Sequence, residues 1–303
     1  MGDWSPMTVV SLLKYHGLGN DFLISLHPAG LPGGDELDAD FVTTVCDRHR
    51  GVGADGVIVA RPPSARQPAA PQSGDGSDAH APPPVRMELR NADGSGAETS
   101  GNGLACLGLA LVDAGVALSR TVVIETVVGM RTVTVGPRSG ACSEVRAEMG
   151  RLRVRPQPVD AALRAGWPSF AVDAGNPHLV LIVTTLDGID VAGLGQRLEA
   201  ARPGGQNVEF VAPGSDGGLD LVTFERGAGI TEACGSGSCA AAAAARALGL
   251  VKDRVEVRNP GGTAVVDLHG EDPFSPTALL TGLTCRVARI ELELDLERRA
   301  ALR

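Results

Sequence analysis

Aromatic residues are scarce in this chain: six Phe, two Trp and one Tyr among 303 residues. With 40 Gly and 20 Pro beside them, the chain has to turn tightly and often, and to fill its core with small aliphatics such as Val, Leu and Ala. Positive charge is also in deficit. Twenty-seven Lys and Arg face 36 Asp and Glu, a net charge of −9, which argues against the clustered basic surface that nucleic-acid binding requires. No apolar run approaches the ~18 residues of a membrane span. The segment from Met1 to Lys14 lacks the basic and apolar regions and the cleavage site of a secretion signal, so a cytoplasmic protein is expected. The six cysteines contain no Cys-x-x-Cys pair and the six histidines no His-Glu-x-x-His spacing, leaving little basis for a metal site. At this size, without a secretion signal, no disulfide framework is expected.

What remains has the composition of an ordinary globular protein, 43% apolar and 21% charged, long enough for one large domain or two of about 150 residues. Two helices stand out. Leu104 to Ala114 is apolar and stops at Gly115; Cys239 to Leu248 is Ala-rich and stops at Gly249, both with glycine where a helix commonly ends. Short β-branched stretches at 57–59, 121–124, 131–135, 179–183, 219–224, 255–257, 264–268 and 289–294 read as strands. Many short strands with two prominent helices predict an α+β fold. Between Arg61 and Pro84 the composition collapses to Pro, Ala, Ser and Gly, which predicts a solvent-exposed, disordered insertion between two strands.

The sequence also repeats itself. Glu98-Thr99-Ser100-Gly101-Asn102-Gly103 returns as Glu232-Ala233-Cys234-Gly235-Ser236-Gly237, each copy opening one of the two helices, and Gly19-Asn20 returns as Gly175-Asn176 in the same order. Two matched halves imply two similar domains facing each other across a cleft. A Gly-rich helix start leaves backbone N–H groups without intrahelical partners, and with the helix dipole this makes an anion site for a carboxylate or phosphate. Cys234 stands just before such a start, where a thiol is expected to have a lowered pKa and to form thiolate near neutrality. Ser100 holds the mirror position. Two facing helix tips sharing one small anion, with Ser100 and Cys234 on opposite sides, suit proton exchange at a carbon beside a carboxylate, the developing negative charge being met by backbone donors. Cys239 is expected in the core; Cys46, Cys142 and Cys285 carry no motif and are expected to be structural.

The segments KYHGLGNDF (14–22), CDRHRGVGADGVI (46–58), RNADGSGAETSGNG (90–103), GNPH (175–178), ERGAGITEACGSG (225–237) and PGG (260–262) together resemble the diaminopimelate epimerase family, in order and spacing along nearly the whole chain. The resemblance implies two pseudo-symmetric domains, each a curled, mostly antiparallel sheet around a central helix. The first would span 1–148 plus 283–303 with 61–84 as its insertion, and the second 149–282, the last strand returning to the first domain. It implies epimerisation of LL-diaminopimelate to meso-diaminopimelate in lysine and cell-wall precursor synthesis, without a cofactor or metal, in a protein that is often a homodimer. Cys234 matches a catalytic cysteine. Asn20, Asn91, Asn176, Asn207, Glu225 and Arg226 match substrate-binding positions, and Gly101-Asn102 and Gly235-Ser236 match the carboxylate-binding turns. The chemistry is consistent: diaminopimelate is zwitterionic at both ends, Arg226 can fork onto the distal carboxylate, Glu225 can accept from the distal ammonium, and the asparagines can hold one stereochemistry. His178 is expected to line the site or to be structural.

Ser100 departs from this pattern, because the resemblance places the first catalytic cysteine there. A hydroxyl is a far poorer base than a thiolate and needs a neighbouring general base; His16 and His49 are the candidates. Cys106 lies six residues further on, about 9 Å along the helix, too far to substitute. Three readings of Ser100 stand: a natural serine variant that remains an epimerase, a deliberate Cys→Ser replacement, and altered chemistry. Two further alternatives for the protein are a catalytically weakened diaminopimelate-binding paralogue and a racemase or eliminase for another amino acid.

Overall fold

A computed structural model of the chain describes residues 8–29, 31–34, 36–63, 84–98, 100–159 and 166–294. In chain order, β1 (Thr8–Gly17) and β2 (Asn20–Ser25) lead to α1 (Ala39–Cys46), β3 (Gly56–Arg61), β4 (Val85–Asn91), α2 (Gly101–Asp113), β5 (Thr121–Thr126), β6 (Gly129–Ser139) and β7 (Cys142–Arg151). They are followed by β8 (Arg153–Pro156), β9 (Ser169–Asp173), β10 (Pro177–Ile182), α3 (Val191–Ala200), β11 (Asn207–Pro213), β12 (Leu219–Glu225), β13 (Gly229–Ile230), α4 (Gly235–Ala247), β14 (Arg254–Asn259), β15 (Gly262–His269) and β16 (Thr277–Leu294).

The repeat in the sequence is a repeat in topology. In the first half β2 pairs parallel with β3 and β4 parallel with β5, while β1–β2, β3–β4, β5–β6 and β6–β7 are antiparallel. The second half repeats that order with β9, β10, β11, β12, β14, β15 and β16: β10–β11 and β12–β14 are parallel and the others antiparallel. The long β16 serves both halves. It pairs with β15 and β7, and its far end returns to β1 with Leu13 opposite Arg289. The first half is thereby a closed ring. The second half closes less regularly, Leu152 N and Val154 N donating to Pro276 O and Phe274 O (2.8 and 2.9 Å). The fold is α+β, with two pseudo-symmetric halves, each a curled and mostly antiparallel sheet around one helix.

Those helices are α2 and α4, the two expected from composition. Gly101–Leu111 of α2 and Gly235–Ala245 of α4 are buried on every side, the state of a helix without a polar face. Small residues let the sheet close in. A side chain at Gly108 would start 2.5 Å from Val133 Cγ1, so glycine is required despite its cost of about 1 kcal/mol in a helix interior. Ala240 to Ala245 of α4 are all fully buried for the same reason. Ala243→Leu is therefore expected to destabilise the protein by about 1–3 kcal/mol through overpacking, read as a lower midpoint in thermal unfolding. Both helices end as the sequence predicts, with Gly115 and Gly249 at φ +68° and +72°.

Cys142 and Cys285 form a disulfide, where none was expected. They are 143 residues apart in sequence but directly opposite each other in the β7–β16 ladder, a register that residue spacing does not reveal. Of the low-complexity stretch 61–84, positions 64–83 lie outside the described residues. The strands on either side of it, β3 and β4, pair with Arg61 opposite Arg86, so the chain leaves and re-enters at one place in the first half. Among the described residues no helix is long and apolar enough to cross a membrane.

Candidate active site

The two central helices meet tip to tip. A side chain at Gly235 would begin 3.1 Å from both Gly101 Cα and Asn102 N, so glycine is what allows the contact. Asn102 Nδ2 locks the junction, donating to Ala233 O (3.2 Å) in one half and to Asn20 Oδ1 (3.3 Å) in the other. Ser100 is the N-cap of α2, its Oγ accepting from Gly103 N (3.0 Å); Cys234 is the N-cap of α4, its Sγ accepting from Gly237 N (3.3 Å). Extended backbone at both positions, typical of a cap, presents the two side chains to one cavity of about 470 Å³.

Ten of the twelve site residues expected from sequence line that cavity: Asn20, Asn91, Ser100, Asn176, Asn207, Glu225, Arg226, Cys234, Gly235 and Ser236. Gly101 and Asn102 do not. They lie behind the junction, in a narrow crevice shared with Leu280, because Asn102 spends its amide on holding the halves together. The lining is thus asymmetric where the repeat alone suggests symmetry. His16 and His49 do not line the cavity either, and His16 Nδ1 instead accepts from Gly19 N (3.2 Å).

Several lining residues were not anticipated: Cys46, Arg48, Asp55, Asp93, Glu98 and Thr231. Arg48 and Asp55 build the wall that orients Asn20. Asp55 Oδ2 accepts from Asn20 Nδ2 (2.8 Å), and Arg48 bridges Asp55 Oδ1 (2.8 Å) and Asp21 Oδ1 (2.7 Å). Burial opposes ionisation of Asp21, but hydrogen bonds from Arg48 and Lys14 hold its carboxyl below the ordinary range. Both Arg48 and Asp55 belong to the 46–58 segment, whose clustered charges were the available signal. Cys46 is buried, and burial followed by the charges of Asp21 and Asp55 pushes its thiol up to about 12, which leaves it inert.

Cys234 differs from expectation. Its thiol is raised well above the ordinary value instead of lowered: burial is the main cause, followed by the negative charges of Glu225 and Glu209, and these outweigh the hydrogen bonds from Ser236 and Gly237. The helix-tip argument omitted two carboxylates that only the tertiary fold brings close. Glu225 accepts from Thr231 Oγ1 (2.6 Å) and is near enough to Cys234 for its charge to raise the thiol. Glu209 is fully buried, one oxygen 2.7 Å from His178 Nδ1, the other without a hydrogen-bond partner among the described residues. A polar chain continues from His178 Nε2 to Asn176 Oδ1 (2.8 Å), from Asn176 Nδ2 to Ser236 Oγ (3.5 Å), and on to Cys234 Sγ (3.6 Å). His178 is therefore a buried member of the wall behind Cys234.

Arg226 follows Glu225 as the first residue of the turn after β12, and both line the cavity. The Arg226 backbone N–H donates to Asn207 Oδ1 (2.9 Å), and its guanidinium reaches Glu98 of the other half (2.6 Å). The cavity thus has a thiol–carboxylate end and a guanidinium end, with helix-tip donors beside the first. That arrangement can grip a small amphoteric molecule and move a proton at the carbon next to its carboxylate.

Known proteins resemble this chain. The chain is 35% identical to the diaminopimelate epimerase of Prochlorococcus marinus (strain MIT 9313), with 87% of each chain covered. It is 33% identical to that of Methanothermobacter thermautotrophicus, with 84% of this chain and 89% of the relative covered. Among solved structures, a hydroxyproline epimerase from Agrobacterium vitis superposes with a TM-score of 0.67 at 20% identity, over 97% of this chain and 94% of that one. A PhzF-family phenazine biosynthesis protein of Bacillus anthracis gives 0.67 at 14%, over 95% and 100%. At those identities the likeness is one of fold. The family model described as diaminopimelate epimerase matches residues 12–154 and 170–282, and the chain belongs to the diaminopimelate epimerase family.

Proposed function

We propose that this protein epimerises LL-diaminopimelate to meso-diaminopimelate without a cofactor, at the cleft between its halves. The observation that carries the reading is the pair of helix N-caps, Ser100 and Cys234, opening onto one cavity from two touching helix tips. The reacting carboxylate sits at the tips, where N–H groups and helix dipoles favour an anion. Cys234 passes its thiol proton to Glu225 and, as thiolate, removes the α proton from one face. The enolate-like charge is held by the tip donors, and Ser100 returns a proton from the other face. The raised pKa of the resting thiol makes the thiolate a strong base once the cleft closes on the substrate's ammonium. Asn20, Asn91, Asn176, Asn207 and Arg226 position the remainder of the molecule, and Gly235 and Ser236 supply the tip. The two lobes divide near residues 148 and 283, the protein works in the cytoplasm in lysine and peptidoglycan precursor supply, and it does so as a homodimer.

The test is incubation of LL- and meso-diaminopimelate in deuterium oxide, followed by NMR. Wild-type protein is expected to wash deuterium into the α position of at least one isomer, and Cys234→Ala to lose that exchange by on the order of 10²-fold or more. Folded protein that exchanges neither isomer rejects the proposal. Calorimetric binding without exchange would identify a diaminopimelate-binding paralogue instead.

A further inference from the structure

We infer that Leu18 is a positioning residue: it pegs the first half into the Pro260-Gly261-Gly262 turn of the second and so holds the tips of α2 and α4 in register. The inference rests on the function proposed above and gives a role to a turn that reading leaves unused. Leu18 and Gly19 are the two central residues of the β1–β2 turn, with φ of +52° and +90°. The twist of paired strands favours positive φ at both places, but a leucine there crowds its own backbone. Among the described residues Leu18 is the only one other than glycine with positive φ. Strain of this kind persists only where surrounding contacts impose it.

Here those contacts come from the other half. Leu18 O lies 2.0 Å from where a side chain at Gly261 would start, and Leu18 Cδ2 lies 3.0 Å from the same point at Gly262. A side chain at Gly19 would begin 2.9 Å from Cβ of Glu232, two residues before Cys234, and Gly261 N donates to Glu232 O (2.8 Å). Leu18 N donates to Leu283 O of the shared β16 (3.4 Å). The joint therefore ties the β1–β2 turn to the β14–β15 turn and to the approach to α4. Asn20, whose Oδ1 accepts from Asn102 at the junction, is carried by the same β1–β2 turn. The mirror positions are built otherwise. By the repeat, Ala174 stands where Leu18 does, and Val128 where Gly261 does. A methyl group is too short for a peg and a valine fills the socket, and Val127 beside it is 77% exposed. The halves are thus pinned on one side of the junction. Leu18 lines the crevice behind that junction and not the reaction cavity, so it acts on the chemistry through alignment, without touching substrate.

The experiment compares wild type, Leu18→Ala, Gly261→Ala, their double variant, Leu18→Met and, at the open mirror turn, Val127→Ala. The readouts are kcat and KM for α-hydrogen exchange of diaminopimelate in deuterium oxide, the rate of Cys234 alkylation by iodoacetamide without substrate, and the melting temperature. Misaligned tips predict a fall in kcat of about 10- to 100-fold for Leu18→Ala and for Gly261→Ala, with KM moving severalfold less. Cys234, 4% exposed, should be alkylated severalfold faster in both. The double variant should lose little more than the worse single one, because both substitutions break one contact. Leu18→Met keeps the volume and should retain most of the activity, and Val127→Ala should behave as wild type. If Gly261→Ala does not fold, the contrast between Leu18→Ala and Leu18→Met carries the test. A lower melting temperature with kcat and alkylation unchanged would make Leu18 packing only, and losses that multiply in the double variant would give the two residues separate roles; either overturns the inference. Wild-type protein that exchanges no diaminopimelate would instead remove the proposed function, and the joint would then stand or fall on alkylation and on coupling in melting temperature.

Discussion

Ser100→Cys is expected to raise epimerisation of diaminopimelate by on the order of 10²–10⁴-fold, the range that a positioned acid–base group contributes. The serine is already in place for the chemistry: it caps α2, lines the cavity and faces the junction that Cys234 shares. Its weakness is intrinsic, because a hydroxyl gives and takes protons far less readily than a thiol with a pKa near 8.5, and neither His16 nor His49 lines the cavity to assist it. The larger sulfur fits the position in principle. Cys234 performs the same capping task on Gly237 at 3.3 Å. The wild type should therefore be lopsided. The isomer whose α hydrogen faces Cys234 exchanges with solvent faster than it inverts, and Ser100→Cys brings the two rates together. Chromatographic separation of LL and meso isomers against time gives inversion; mass spectrometry of the same samples gives exchange. If the substitution changes neither rate in a protein that melts normally, the two-faced arrangement is wrong.

That Ser100 and Cys234 share a cavity was legible in the sequence, because the repeated Glu-x-(Ser/Cys)-Gly-x-Gly motif fixes two helix starts and the helices end at glycines. The mirrored topology follows from the same repeat. Other elements left fainter marks. In β11, Glu209 interrupts the apolar run at a position that is fully buried. The eight residues of α1 include Val42, Thr43, Thr44 and Val45, a β-branched run that resembles a strand, and α3 carries two glycines. In β7 the buried face is Ser143, Val145, Ala147 and Met149, too small and mixed to give a strong alternating signal. At the site, residue types and caps were readable, but charge environment was not. The rise of the Cys234 thiol comes from burial and then from the charges of Glu225 and Glu209, and the reach of Arg226 depends on Glu98. Such contacts are set by how strands register and halves close. Asn102 makes the same point in reverse: its motif marks an anion site, while its side chain is used as a cross-domain tie.

Glu225→Gln is expected to move activity and stability in opposite directions. Exchange should fall by on the order of 10²–10⁴-fold, since the carboxylate that receives the Cys234 proton is gone. Stability should rise at alkaline pH. Burial is the main reason the Glu225 pKa lies above its ordinary 4.5, with the charge of Glu209 adding to it and the bonds to Thr231 and Cys234 opposing it. A group whose folded-state pKa is raised contributes its stabilisation fully below the unfolded value and loses it as pH climbs through the folded value. The ionised, buried carboxylate therefore penalises the wild type at pH 8, and an amide of the same shape does not. The melting-temperature difference between variant and wild type should be largest near pH 8 and shrink toward pH 4.5. A third readout ties both effects to one atom pair. After burial, the charge of Glu225 contributes most to holding the Cys234 thiol up, so its removal should shift the pH profile of Cys234 alkylation by iodoacetamide to lower pH, with the modified residue identified by peptide mapping. A more reactive thiol in a less active, more stable enzyme is the combination that a carboxylate dedicated to that thiol requires. An unchanged alkylation profile would mean that Glu225 faces something else, and the proton route through it would have to be abandoned.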